Sequence, residues 1–376
     1  MNLTETIKDF ALSVGYDRVG IASAEDFTFF QEQVEARREM YESAVEGTMQ
    51  LLSGVSPASA VPAGRSIIVT ITDLLKQSFP ESLVGSIGRN YLARVYKSQR
   101  HVVHSVRLRL MLDFLKGQGL TMEKRMTIPA RPSAARAGLA TFGRNCFAYV
   151  EDIGSYNAIT TFLVDAELEY DEPTFDAPCP EGCRQCVDAC RSGALYEPFH
   201  MDPRRCVAFI SYAGTGLVDG RAPGPIPLDM RRKMGGWIYG CDTCQDACPR
   251  NRAKLMVRPP VDAYMASVAP NLTPSALINL STGHFTERVL PVLPYIQEKK
   301  YYQRNAAVAI GNAGDRGAVP ALIQALSDPE PLVRGHSAWA LGELGGRNAR
   351  LALEEGRRRE TDQEALQEIE AALAGL

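Results

Sequence analysis

The chain has 376 residues, 45% hydrophobic and 23% charged, an ordinary soluble composition with length enough for two or three domains. A net charge of -3 excludes a global pull toward nucleic acid or membrane, so any polyanion site must be a local patch. The first residues lack a basic stretch followed by an apolar one, and no apolar run approaches the ~20 residues that span a bilayer; the expectation is a cytoplasmic protein without a membrane partner.

Residues 1–165 read as a mixed α and β domain. Ile7, Phe10, Ala11 and Val14 mark an amphipathic first helix, followed by the strand-like DRVGIA. Ser66–Thr72, nearly all apolar, suits a strand buried on both faces. A long helix is expected over about 88–116. It carries Arg94, Lys97, Arg100, His101, His104, Arg107, Arg109 and Lys116 against one acid, Asp113. Two further strand-like runs, FGRNCFAYV and AITTFLVDAEL, flank the turn EDIGS. Residues 166–260 are rich in Cys, Pro and Gly and lack apolar periodicity, as in a small domain held by its cofactors.

Residues 261–376 are helical and contain a repeat. Asn305–Gly314 recurs 31 residues later as His336–Gly345, and Ala321 and Leu322 correspond to Ala352 and Leu353. Paired small-residue helices at this spacing resemble short HEAT-like repeats. Two copies are too few to stand alone and should pack on the rest of the chain, as a plain helical cap or as a partner surface. The fold class expected is therefore α+β: an N-terminal α/β domain, a ferredoxin-like domain and a helical repeat domain.

Eight of nine cysteines form two runs and a bridge. The first run is Cys179-x3-Cys183-x2-Cys186-x3-Cys190, the second Cys241-x2-Cys244-x3-Cys248-Pro249, and Cys206 lies between. Thiolates suit iron–sulfur clusters, and in two-cluster ferredoxins the last cysteine of a run ligates the other cluster. That rule assigns Cys179, Cys183, Cys186 and Cys248 to one [4Fe–4S] cluster and Cys190, Cys206, Cys241 and Cys244 to a second. Two four-thiolate zinc sites are the alternative; the interleaved spacing and the terminal Cys-Pro favour iron. Cys146 is left over, and reads as a small buried hydrophobe on a strand. No G-x-G-x-x-G, Walker or H-E-x-x-H motif is present, and the five histidines form no ligand cluster; His101 and His104, one helical turn apart, read as part of a solvated basic face.

Residues Cys179–Asn251 resemble the ferredoxin region of epoxyqueuosine reductases. The shared pieces are Ser-Gly-Ala-Leu at 192–195, Asp-Pro-Arg-Arg-Cys-Val-Ala-Phe-Ile-Ser-Tyr at 202–212, Ile226-Pro227 with Met230-Arg231, and the run from Gly236 to Asn251. Upstream, Ala135–Leu139 and Phe142–Asn145 resemble the family's signature, and the helical repeats resemble the tail of its longer members. The resemblance implies cobalamin bound base-off between the N-terminal domain and the clusters, with Arg136, Gly138, Gly143, Asn145, Ser155, Ser211 and Asp242 as cofactor-binding residues. It also implies an external low-potential donor, flavodoxin- or ferredoxin-like. An epoxide opened by reduction needs a proton donor. The family's aspartate, six residues before the Arg of Arg-Ala-Gly, is Ala130 here, and the family's Asn-Tyr is Thr72-Asp73. Asp73, Tyr156 and Cys146 are the candidate replacements. The expectation is a cobalamin-dependent iron–sulfur reductase acting on queuosine tRNA or a small molecule, with the basic segment Arg94–Arg109 available to a tRNA backbone. The alternative is a non-catalytic electron-transfer or corrinoid-reducing partner protein.

Overall fold

The computed structural model describes residues 2–46, 50–61, 63–93, 103–121, 128–174, 179–213 and 224–376. A capping box opens the first helix, Leu3–Ser13: Asn2 accepts from the Glu5 amide, and Glu5 accepts from the Asn2 amide. Three antiparallel strands follow, β1 (Arg18–Ser23), β2 (Ser66–Asp73) and, after the hairpin strands β3 (Thr141–Phe142) and β4 (Ala148–Tyr149), β5 (Asn157–Val164). The sheet order is β1-β2-β5, with β2 central.

The apolar run of β2 has a direct cause: both faces of the sheet are covered. Ile68, with Ile21 and Phe162, packs against Ile7, Ala11, Met111 and Leu115 of helices Leu3–Ser13 and Val103–Gly117. Ile67, Val69 and Ile71 point to the other face, where Ala134 and Ala137 approach from helix Ala130–Arg136 and the residue that ends it.

Two local expectations change. The helix expected over 88–116 is two elements: Arg89–Leu92 ends at Ala93, and a second helix spans Val103–Gly117. Arg94, Lys97, Arg100 and His101 fall outside the described residues. FGRNCFAYV is not one strand but the β3–β4 hairpin, and Cys146 sits in its turn with φ +65°, not on a strand.

The C-terminal helices are Lys299–Ala313, Val319–Ala325, Pro331–Leu344, Arg347–Arg359 and Gln363–Ala374. The first helix of each repeat is buried, through Ala306, Ala307 and Ala309 in one copy and Ala338, Ala340 and Leu341 in the other. Their small side chains let the two helices approach closely, as a stacked repeat requires. The core they build also takes in Leu83, Ile87 and Leu92 from the N-terminal region and Ile210, Met230 and Ile238 from the cysteine-rich region. The hydrophobic cores thus cross the boundaries expected at 165 and 260.

Side chains at equivalent repeat positions make that joint specific. Asn305 donates to the carbonyls of Ser211 and Ile238, both at 2.7 Å. His336 accepts from the Ile226 amide at 3.1 Å. Arg304, fully buried, binds the carbonyls of Ser211 and Gly224, and Arg231 pairs with Glu368. The repeats' buried face is a clamp on the cysteine-rich region. No helix among the described residues is long and apolar enough to cross a membrane.

Candidate metal centre

Each cysteine run forms a short helical turn, Gln185–Asp188 after Cys183 and Thr243–Asp246 after Cys241. A turn of this kind places successive thiols toward one point with backbone amides around them. Cys179, Cys183, Cys186 and Cys248 line one small cavity, with Arg144, Asn145, Tyr149, Pro180, Pro249 and Arg250 completing its wall. Cys248 comes from the second run, yet joins three thiols of the first. Cys190, Cys206 and Cys241 lie within electrostatic reach of Cys244, as does Cys186 of the first set. Among the described residues no three His, Cys, Asp or Glu side chains converge tightly enough for a single metal ion. The thiols ring a space instead, the arrangement a cluster of several irons needs.

Burial raises the thiol pKa values, that of Cys186 to about 11 and that of Cys241 to about 12, and neighbouring thiols add to the rise at both. Only a cationic centre reverses that order and holds four thiolates in one place. Polar partners stand beside the sulfurs: the Leu195 amide donates to Cys190 Sγ at 3.4 Å, and the Cys241 thiol donates to Thr243 Oγ1 at 3.3 Å. The donor set and its hydrogen bonds therefore fit iron–sulfur clusters.

The N-terminal sheet is tied to the second run by polar side chains. Asp242, between Cys241 and Cys244, is buried and accepts from the Arg89 amide at 2.9 Å and its guanidinium at 3.0 Å. Burial still pushes its carboxyl up to about 6. Arg89 also bonds Asp246 at 2.8 Å, which accepts the Tyr156 hydroxyl at 2.5 Å. Ser155 bonds Gln245 and Asn251 at 2.9 and 2.8 Å. Asn145 donates to the Tyr149 hydroxyl at 2.9 Å and the Cys244 carbonyl at 3.2 Å.

The seven residues expected to bind cobalamin are engaged with the protein itself. Arg136 donates to the carbonyls of Ser23, Glu25 and Asp26 and covers the Phe27 ring at 4.0 Å. Gly138, at φ +70°, lets the Glu172 carbonyl approach to 2.6 Å from where a Cβ would stand. A Cβ on Gly143 would strike the Tyr149 ring. Ser211 Oγ accepts from Gly240 at 3.0 Å, inside the clamp made by the repeats. Asn145, Ser155 and Asp242 are bonded to the second cysteine run or residues beside it, whereas Arg136 and Gly138 are engaged away from it.

The candidate acids are likewise occupied. Tyr156 is fully buried and donates its hydroxyl hydrogen bond to Asp246. Asp73 pairs with Lys254 at 2.5 Å and accepts the Leu75 amide. Ala130 opens its helix beside Arg131, which stacks on Phe147 and donates to the Cys146 carbonyl. Burial pushes the Cys146 thiol up, so it is no poised nucleophile. The sequence reading missed Tyr149, Arg250, Arg89 and Asp246. Arg250 follows Cys248 closely and could have been singled out; Tyr149 reaches the site only through the hairpin.

A groove opens beside the first cavity, lined by Val150, Glu151, Asp152, Gly154, Ala253 and Lys254, with Tyr149 and Arg250 common to both.

Comparison with known proteins agrees with this geometry. A 4Fe-4S double cluster binding domain matches residues 179–251, and HEAT repeats match 289–374. The epoxyqueuosine reductase of Bacillus cereus is 29% identical over 382 residues, covering 99% of this chain and 97% of that one. The Bacillus subtilis enzyme is also 29% identical, with 99% and 95% covered. Its solved structure, described with a catalytic aspartate loop swung out of the active site, superposes with a TM-score of 0.78 at 28% identity, covering 100% of this chain and 99% of that one. A second solved epoxyqueuosine reductase, with an epoxyqueuosine-modified tRNA-Tyr stem loop, gives a TM-score of 0.78 at 28% identity, with 100% and 98% covered. With the cysteine-rich region, the repeats and nearly the full length all in register, the chain belongs to the epoxyqueuosine reductase family of oxidoreductases.

Proposed function

We propose that this protein is a reductase acting on epoxyqueuosine in tRNA, with electrons from a flavodoxin- or ferredoxin-like donor passing through two [4Fe–4S] clusters. The observation that carries the reading is that Cys248 of the second run lines one cavity with Cys179, Cys183 and Cys186 of the first, which supports ligation by Cys190, Cys206, Cys241 and Cys244 at the other centre. Bound clusters store and pass single electrons. The chain sets the Leu195 amide and the Thr243 hydroxyl beside the thiols, and locks the second run to the N-terminal sheet through Arg89, Asp242 and Asn145. The tRNA assignment rests on the relative with a bound stem loop, alike over the whole chain.

Cobalamin is the electron acceptor that the family resemblance implies. The open groove beside Tyr149 and Arg250 supports it; the side chains of Arg136, Asn145, Ser155, Ser211 and Asp242, all engaged, do not. Cob(II)alamin added to the anaerobic protein should give a base-off EPR signal without axial nitrogen splitting. Failure to bind would remove cobalamin from the reading and leave the clusters in place.

The proton donor is tested at Ala130. General acid catalysis is typically worth ~10²–10⁴-fold. If this position held the family's acid, wild type should turn over epoxyqueuosine tRNA slowly, and Ala130→Asp should raise turnover by a factor in that range. Full wild-type activity would show that another group donates the proton. No turnover in either protein, with clusters and cobalamin loaded, would overturn the substrate assignment.

A further inference from the structure

We propose that Arg250, Arg144 and Tyr149 make the cluster of Cys179, Cys183, Cys186 and Cys248 the higher-potential centre, and thus the exit of the relay. The inference rests on the two-cluster reading above and adds the direction of electron flow and the residues that set it.

The two centres have different surroundings. Arg144 and Arg250 both line the first cavity. The Arg144 guanidinium is anchored on the Cys183 carbonyl at 2.7 Å. Arg250 lies over the Tyr149 ring at 4.1 Å and gives one nitrogen to Thr141 Oγ1 at 2.6 Å. Its other terminal nitrogen, Nη1, is buried and has no acceptor among the described residues. A buried guanidinium N–H without a partner is costly, and in the wall of a thiol-lined cavity the acceptor it fits is a cluster sulfur. Tyr149 lines the same cavity as Cys248, and Asn145 donates to its phenol oxygen at 2.9 Å.

Among the described residues the guanidiniums near the second centre are screened or already paired: Arg205, bonded to the Ser192 carbonyl at 3.0 Å, is solvent-exposed. The sulfurs of the second centre meet hydroxyls, Thr243 at Cys241 and Ser192 at Cys190. The neighbouring Asp242 carboxylate is paired with Arg89. Arg131 acts on Cys206, but it is solvent-exposed and its field is screened. A reduced cluster carries one more negative charge than its oxidised form. Nearby cations and hydrogen bonds to sulfur therefore favour reduction and raise the potential. An electron delivered by an external one-electron reductant enters the second centre and passes to the first. One centre is oxidised by one electron as the other is reduced; no bond is made or broken. The first centre also shares Tyr149 and Arg250 with the open groove, where an acceptor has room.

The test is an EPR-monitored redox titration of the anaerobic holoprotein, wild type against Arg250→Gln and Tyr149→Phe. In Cys248→Ser the surviving unaltered signal belongs to the second centre, which assigns the two midpoints. Arg250→Gln should make the first centre about tenfold harder to reduce, a fall of about 59 mV for a one-electron couple, with the second unchanged. Tyr149→Phe should move the same centre in the same direction, and decides the matter should Arg250→Gln lose iron. Unchanged midpoints, a shift confined to the second centre, or a wild-type first centre lying below the second would overturn the proposal. Fewer than two clusters in wild type would overturn the two-cluster reading instead.

Discussion

Acidifying the protein should loosen the joint between the helical repeats and the cysteine-rich region, through His336. Its Nε2 accepts the Ile226 amide at 3.1 Å, and its Nδ1 lies 2.8 Å from the Leu332 carbonyl. Both bonds are satisfied only by the neutral ring with its proton on Nδ1. Burial, then the nearby Arg231 and Arg304, hold its pKa well below the ordinary histidine range. Glu368 is the acid on this side and is taken up by Arg231. Below pH ~6.5 the unfolded chain therefore binds a proton that the folded chain refuses. The stability is fully present above that pH and is lost as pH falls. Each pH unit below corresponds to about 1.4 kcal/mol, so moving from pH 7.5 to 5.5 should remove roughly 1.4 kcal/mol through this residue. The assay is urea denaturation of the anaerobic holoprotein at both pH values, followed by tryptophan fluorescence; Trp339 lies on the same helix, buried. His336→Gln retains a donor and an acceptor but cannot titrate, so wild type should lose about that much more than the variant. Equal losses in the two proteins would refute the reasoning.

Three further outcomes follow from the same contacts. Glu368→Ala leaves the buried Arg231 charge without its partner, and breaking such a pair costs ~3–5 kcal/mol; with Glu368 a quarter exposed, the lower end is expected in a denaturation midpoint. Gly20→Ala would place a Cβ 2.5 Å from the Ala137 carbonyl, so the β1 backbone must move; a loss of ~1–3 kcal/mol is expected in thermal unfolding, and a neutral effect would contradict that close approach. Anaerobic protein should contain about eight iron atoms per chain, from four thiolates on each [4Fe–4S] cluster. Cys146→Ser should leave that count unchanged, whereas Cys206→Ser should lower it.

The cysteine spacing alone announced the double-cluster domain at 179–251, because each C-x2-C turn is a local structure that needs no knowledge of the fold. The apolar run Ser66–Thr72 announced a doubly covered strand, and the recurrence of Asn305–Gly314 at His336–Gly345 announced stacked helix pairs. Both are periodic signals, and periodicity survives in sequence. The roles of Asn305 and His336 did not, since what they bind, Ser211, Ile238 and Ile226, lies ~70–110 residues away. The same distance hid the network that joins Arg89 and Tyr156 to Asp242 and Asp246. Cys146 looked like a strand residue because Phe142 and Ala148 flank it with apolar neighbours; only the turn geometry of the hairpin moved it out. Which centre carries the guanidiniums was a tertiary decision too. Arg144 and Arg250 are 106 positions apart in the chain, and only the packing of the β3–β4 hairpin on the second cysteine run places both in one wall.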